Sequence, residues 1–105
     1  MGTGFNGPER RRSLRLVWDV GLVIRGDSPK FEEDTFTISV SGHGALVLLE
    51  NEVKVGQELF LLNPLTGNEI SGKVVRIGAP HSGKCMVGID FDEPSDEFWP
   101  FGKNA

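Results

Sequence analysis

Short apolar segments, separated by glycine, proline and polar residues, recur along this chain from residue 16 onward. Residues 35–40 alternate small polar and apolar side chains, which is typical of a β-strand with one buried face. Residues 45–49 form a continuous apolar run of strand length. The charged residues 32–34 are predicted to form a loop. The whole pattern predicts six strands, over residues 16–25, 35–40, 45–49, 58–62, 70–77 and 86–91.

Six sequential strands with short connections indicate an all-β antiparallel barrel or sandwich. Closure into a barrel would remove the exposed sheet edges that invite aggregation. Residues 94–99 are predicted to form one short helical turn, because Pro100 limits its length. We expect Phe98 and Trp99, which lie in this turn, to plug one end of a barrel.

Length and composition fit one small soluble domain, since the chain has 105 residues and ordinary hydrophobic and charged contents. No apolar run approaches the ~20 residues of a membrane-spanning helix. The N-terminus also lacks the apolar core of a signal peptide. The single cysteine, Cys85, has no partner for an internal disulfide, and no Cys/His cluster has zinc-ligand spacing. These features favour a cytoplasmic protein. Because no nucleophile–base pair or metal cluster occurs in the sequence, the chain is also expected to be a non-enzyme without a cofactor.

Positive charge is concentrated in one short segment of an otherwise acidic chain. Residues 9–15 hold four of the six arginines against one glutamate, a net +3. The remaining residues carry seven basic and fourteen acidic side chains, so their net charge is −7 and the total is −4. Proteins that bind long nucleic acids usually present a broad basic face. The confined charge therefore suits a small anion better than a nucleic acid polymer.

Arg11 and Arg15 are four residues apart, so they lie on the same side of the chain in a helical turn and in an extended strand alike. Two guanidinium groups held together suit a phosphate, to which each can donate two parallel bonds. Arginine can also bond the O6 and N7 edge of guanine. Alternatively, the segment is only a solvated charged leader.

A second motif, at residues 39–44, combines small hydroxyls with glycines. Ser39 and Ser41 are two apart, so they point to the same face of a strand. Gly42 and Gly44 permit a tight turn and let a ligand approach the backbone. The motif predicts a concave patch that can donate and accept hydrogen bonds, although an ordinary hairpin loop would have the same composition.

Together, these motifs resemble the PilZ domain family, a bacterial module with a six-stranded β-barrel that binds the second messenger cyclic di-GMP. Arg11 and Arg15 match the family's R-x-x-x-R, and Ser41 and Gly44 match its [DN]-x-S-x-x-G. Further strands of the family are similar to residues 55–59, 72–77 and 87–91. The resemblance covers residues 9–99, which we expect to form the domain, with a flexible leader at 1–8 and a tail at 100–105.

The resemblance implies a non-enzymatic receptor whose N-terminal arginine loop is mobile and orders when cyclic di-GMP binds, which signals to a protein partner. It implies binding roles for Arg11, Arg15, Ser39, Ser41 and Gly44. The chain departs from the pattern at Ser39, where the family has an aspartate or asparagine that bonds a guanine edge. A shifted register, with Thr37, Ser39 and Gly42 in the motif, supplies no aspartate or asparagine either.

The family resemblance also bears on ligand number, because an arginine just before R-x-x-x-R resembles the form that binds two stacked nucleotides. Here that residue is Arg10. The alternative function, favoured by Ser39, is a barrel of this family that has lost nucleotide binding and acts through protein contacts. A barrel for single-stranded nucleic acid would need aromatic stacking platforms on a basic groove, and this acidic chain has no tyrosine.

Overall fold

The computed structural model describes residues 16–99, which fold into seven antiparallel strands and one 3-10 turn. No helix in this part of the chain is long and apolar enough to cross a bilayer. The strands are β1 (Leu16–Val17), β2 (Gly21–Asp27), β3 (Lys30–Ser41), β4 (Gly44–Leu49), β5 (Glu58–Asn63), β6 (Asn68–Ile77) and β7 (Cys85–Phe91), and the 3-10 turn spans Asp96–Phe98.

Six of these strands close into a barrel. Each strand pairs with two neighbours in the order β2, β5, β6, β7, β4, β3, and β3 pairs again with β2. The short β1 is added beside β2 on the same edge of β3. The predicted six-stranded antiparallel barrel is therefore confirmed, with one extra strand.

The prediction of one continuous strand over residues 16–25 is wrong, because the strand breaks between β1 and β2. The Thr37 hydroxyl of β3 fills the break: it donates to the Trp18 carbonyl and accepts from the Val20 N–H at 2.8 Å. One side chain thus replaces backbone ladder bonds, and both backbone groups stay satisfied.

The predicted charged loop at residues 32–34 is also wrong, because these residues belong to the first half of β3. Glu32 lies opposite Arg25 of β2, and Asp34 lies opposite Val23. Both acidic side chains are exposed on the outer face. A charged strand is tolerated here because solvent, rather than the core, covers that face.

Inward-facing side chains alternate along the strands and fill the barrel, as the period of two requires. Leu22 and Ile24 of β2 point inward, as do Leu59 and Leu61 of β5. The remaining fully buried aliphatic side chains are Val40, Val47, Leu49, Val74, Val87 and Ile89.

The C-terminal turn closes one end of the barrel. Phe98 and Trp99 are each only 1% exposed, as the predicted plug requires. The Phe98 ring stands nearly perpendicular to the rings of Phe91 and Trp99, with centroid distances of 5.4 and 4.8 Å. The Asn63 side-chain amide donates to the Phe98 carbonyl at 2.8 Å and fixes the turn to β5.

Candidate functional site

The serine motif forms the hairpin between β3 and β4. Ser39 and Ser41 lie near the end of β3, Gly42 and His43 make the turn, and Gly44 begins β4. A register shift between Thr37 and Ser39 brings Ser39 opposite Leu46, and Ser41 lies opposite Gly44. Val40 points into the core between them, so Ser39 and Ser41 share the other face of β3, as their spacing predicts, and both are buried.

Hydrogen bonds hold this hairpin in place from both sides. The Ser41 hydroxyl accepts from the His43 N–H at 3.1 Å, and the Trp99 indole N–H donates to the Ser41 carbonyl at 2.6 Å. The Ser95 N–H also donates to the Gly42 carbonyl at 2.7 Å. The residues on either side of the C-terminal turn therefore hold the hairpin at the closed end of the barrel.

Two transverse rows of residues build the outer surface beside the hairpin. Each row crosses β3, β4, β7 and β6 in that order, and its members are direct partners in the sheet. The first row is Ser39, Leu46, Gly88 and Arg76, and the second row is Ser41, Gly44, Asp90 and Lys73.

A shallow cavity of about 120 Å³ opens between these rows. We call it the outer cavity, and its lining includes Ser41, His43, Gly44, Arg76, Gly88 and Asp90. The structure thus brings Ser41 and Gly44, two of the predicted ligand residues, to one concave surface. Ser39 lies in the adjoining row and is only 6% exposed.

Gly44 and Gly88 both line the outer cavity, but the packing around them differs. A Cβ on Gly44 would lie 2.1 Å from the Ile89 carbonyl oxygen, so no other residue fits there without moving β7. A Cβ on Gly88 would meet nothing nearer than the Arg76 side chain at 3.5 Å, an ordinary contact. Packing therefore requires glycine at position 44 but not at position 88.

Arg76 and Asp90 put opposite charges on the rim of the outer cavity, and sequence reasoning did not select either as a ligand residue. Strict alternation from the buried Val74 would turn Arg76 inward, but a register shift between these two residues turns it outward. Asp90 is exposed. Arg76 and Asp90 lie near each other because β6 pairs with β7, and no local signal in the sequence specifies that pairing.

Lys73 is the direct cross-strand partner of Asp90, but other carboxylates bind it. Its ammonium lies 3.1 Å from both Glu58 and Asp92, and these two hydrogen bonds raise the pKa of Lys73. The Ser71 hydroxyl donates to Asp92 at 2.7 Å, and this bond is the main cause of the lowered pKa of Asp92. Within residues 16–99, neither Asp90 nor Arg76 makes an ion pair.

The arginine motif, Arg10, Arg11 and Arg15, lies outside the described residues. The described chain nevertheless begins beside the serine motif, because Leu16 pairs with Val40 and Val17 pairs with Ser39. Among residues 16–99, no group of three His, Cys, Asp or Glu side chains is arranged to hold a metal ion.

The chain was matched by one family and by solved structures. The PilZ domain model matches residues 9–98, whereas no curated protein matches the sequence. The solved structure of the Bacillus subtilis inhibitor of motility MotI/DgrA is similar, with a TM-score of 0.66, 23% identity and 83% of this chain covered. The match spans 44% of MotI/DgrA, so this chain corresponds to less than half of that protein. Because the family match covers most of its length, this chain belongs to the PilZ domain family.

Proposed function

We propose that this domain is a non-enzymatic receptor for cyclic di-GMP, and that the ligand lies on the outer cavity. The observation that carries the proposal is the placement of β1: the chain leaving the arginine motif pairs with β3 at Ser39 and Val40. The arginine motif directly precedes β1 in the sequence, so the described chain begins at the strand that carries the serine motif.

The arginines, serines and glycine have different roles in the proposed binding. Arg11 and Arg15 bind the phosphates and can stack on or bond a guanine, because a guanidinium offers paired donors and a flat face. Ser39 and Ser41 offer hydroxyls beside the ligand. Because Gly44 has no side chain, the nucleotide can approach the backbone of β4. The dianionic ligand also offsets the mutual repulsion of the arginines.

Ordering of the arginine segment over the barrel is the proposed output, because it would change a surface that a protein partner can contact. The proposal places the domain in a bacterial cytoplasm, where a second messenger of this class acts.

Isothermal titration of the purified chain with cyclic di-GMP tests the proposal. We expect Arg11→Ala to weaken binding by about tenfold or more, because a charge-assisted bond to phosphate is worth roughly 1.5–3 kcal/mol. The thermal midpoint of the ligand-free protein should hardly change. Arg25→Ala is the matched control, because Arg25 pairs with Glu69 away from the cavity and should leave binding intact.

Absence of binding by the wild-type protein would support the alternative, a barrel of this family that acts only through protein contacts. Normal binding by Arg11→Ala would instead remove the arginine motif from the site.

The same titration tests ligand number. We expect two nucleotides per chain, because Arg10 would supply a third guanidinium to offset the charge of a second dianion. A clean one-to-one titration of fully active protein would contradict this expectation.

A further inference from the structure

The outer cavity holds a carboxylate and a guanidinium that the proposed roles leave unused. Asp90 and Arg76 lie on adjacent strands, in the second and first rows, and their side chains are exposed. Two residues along a strand span about 6.6 Å and neighbouring strands lie about 4.8 Å apart, so the two Cα atoms are roughly 8 Å apart. That separation leaves room for the edge of a base between the two side chains.

Within residues 16–99, neither the Asp90 carboxylate nor the Arg76 guanidinium makes an ion pair. Asp90 lies opposite Lys73, but the Lys73 ammonium is already bound by Glu58 and Asp92. Arg76 lies across Gly88, with its Nη2 and Nε atoms 3.7 and 3.8 Å from where a Cβ on that glycine would stand. Within the part of the chain that the structure describes, an acceptor and a donor that pair with no other side chain therefore flank one glycine.

Gly88 gives a second, independent observation. Its backbone φ is not in the left-handed region, and the space above it would accept a methyl group. Glycine in a strand weakens the strand, and a common reason to keep one is the close approach of a ligand. Because residue 88 has no side chain, a flat base could approach its backbone beside the Arg76 guanidinium, which covers this buried glycine.

Guanine is the base whose edges match these two charges. Its N1–H and 2-amino groups donate to a carboxylate, and its O6 and N7 atoms accept from an arginine. Adenine presents an acceptor at N1, which would oppose a carboxylate. We propose that Asp90 and Arg76 together read one guanine of cyclic di-GMP, with the base lying over Gly88. This inference rests on the proposed function.

The test compares cyclic di-GMP with cyclic di-IMP, which lacks the 2-amino groups, by titration of wild-type and variant proteins. We expect the wild-type protein to prefer cyclic di-GMP. Asp90→Ala should weaken cyclic di-GMP binding by about tenfold and reduce its preference over cyclic di-IMP by about fivefold or more. Arg76→Gln should weaken both ligands, because both retain O6 and N7.

The direction in which Asp90→Ala changes the affinity distinguishes recognition of guanine from a general electrostatic effect. If Asp90 were only a nearby negative charge, Asp90→Ala would tighten the binding of both anionic ligands. Asp34→Ala, on the exposed face of β3 outside the cavity, is the matched control and should change neither affinity nor preference. Thermal midpoints of all variants check that the barrel is intact.

Gly88→Ala adds a readout that does not depend on removing a charge. The variant should fold with an unchanged or higher thermal midpoint and yet bind cyclic di-GMP about tenfold more weakly or worse. If the wild-type protein binds and the Asp90, Arg76 and Gly88 variants all bind with unchanged affinity and preference, this inference alone is overturned. If the wild-type protein does not bind, the proposed function fails, and the inference fails with it.

Discussion

Gly44 shows how one residue can serve packing and ligand approach at once. The sequence motif suggests it as a ligand residue, and it does line the outer cavity. The structure adds that β4 and β7 approach so closely at this point that the Ile89 carbonyl occupies the space of a side chain. Loss of ligand binding in a Gly44 variant would therefore not by itself show a ligand contact.

Gly44→Ala is expected to lower the free energy of unfolding by about 3 kcal/mol, because the new methyl group overlaps backbone that cannot rotate away. Urea unfolding measures the change. Gly78→Ala is the matched control, since its Cβ would lie an ordinary 3.5 Å from the Met86 side chain. A Gly44→Ala protein within about 0.5 kcal/mol of the wild type would show that β7 can shift.

Among the elements, β3 stabilises the turn after β4 through one of its side chains. Its Glu33 carboxylate accepts hydrogen bonds from the Glu50 N–H at 2.7 Å and from the Asn51 N–H and side-chain amide at 3.1 and 2.8 Å. Burial raises the pKa of Glu33, but these bonds to the charged form outweigh burial and lower the pKa below its ordinary value of 4.5. The ionised Glu33 thus stabilises the turn that follows β4.

Glu33→Gln should destabilise the domain by about 1 kcal/mol at pH 7, a value discounted for the partial exposure of the carboxylate. Because the folded pKa is depressed, the wild-type advantage is complete above about pH 4.5 and is lost as the pH falls through the folded value. Urea unfolding at pH 7 and pH 3 measures this. Glu32→Gln, which alters an exposed neighbour, should show no such difference between the two pH values.

The strand positions were largely predictable because alternation and apolar runs record which side chains face the core. The break after Val17 was not, since it depends on the hydroxyl of Thr37, far along the chain. The serine hairpin was predictable because its turn, hydroxyls and glycines are local. The juxtaposition of Arg76 and Asp90 was not, because strand order and an irregularity in β6 create it.

For the molecule as a whole, the C-terminal turn connects the closed end of the barrel to the outer cavity. The Trp99 indole and the Ser95 N–H bond the two residues that begin the hairpin turn, Ser41 and Gly42. Asn63 anchors the same turn to the opposite wall of the barrel. A substitution at Phe98 or Trp99 should therefore also alter the hairpin that lines the outer cavity.

Trp99→Phe should lower the free energy of unfolding by about 2 kcal/mol, since it removes buried atoms and leaves the Ser41 carbonyl without its donor. Urea unfolding gives the loss, and near-ultraviolet circular dichroism shows whether the aromatic cluster persists. An unchanged stability would mean that the indole hydrogen bond contributes nothing net.

The same indole gives the domain an internal optical sensor. Trp99 is one of two tryptophans, and its N–H bonds the backbone of a residue whose other side lines the outer cavity. Tryptophan emission responds to the hydrogen bond and polarity at the indole, so a small displacement of the hairpin would change its wavelength or intensity. In a Trp18→Phe background, the fluorescence of Trp99 would follow occupancy of the cavity without any attached dye.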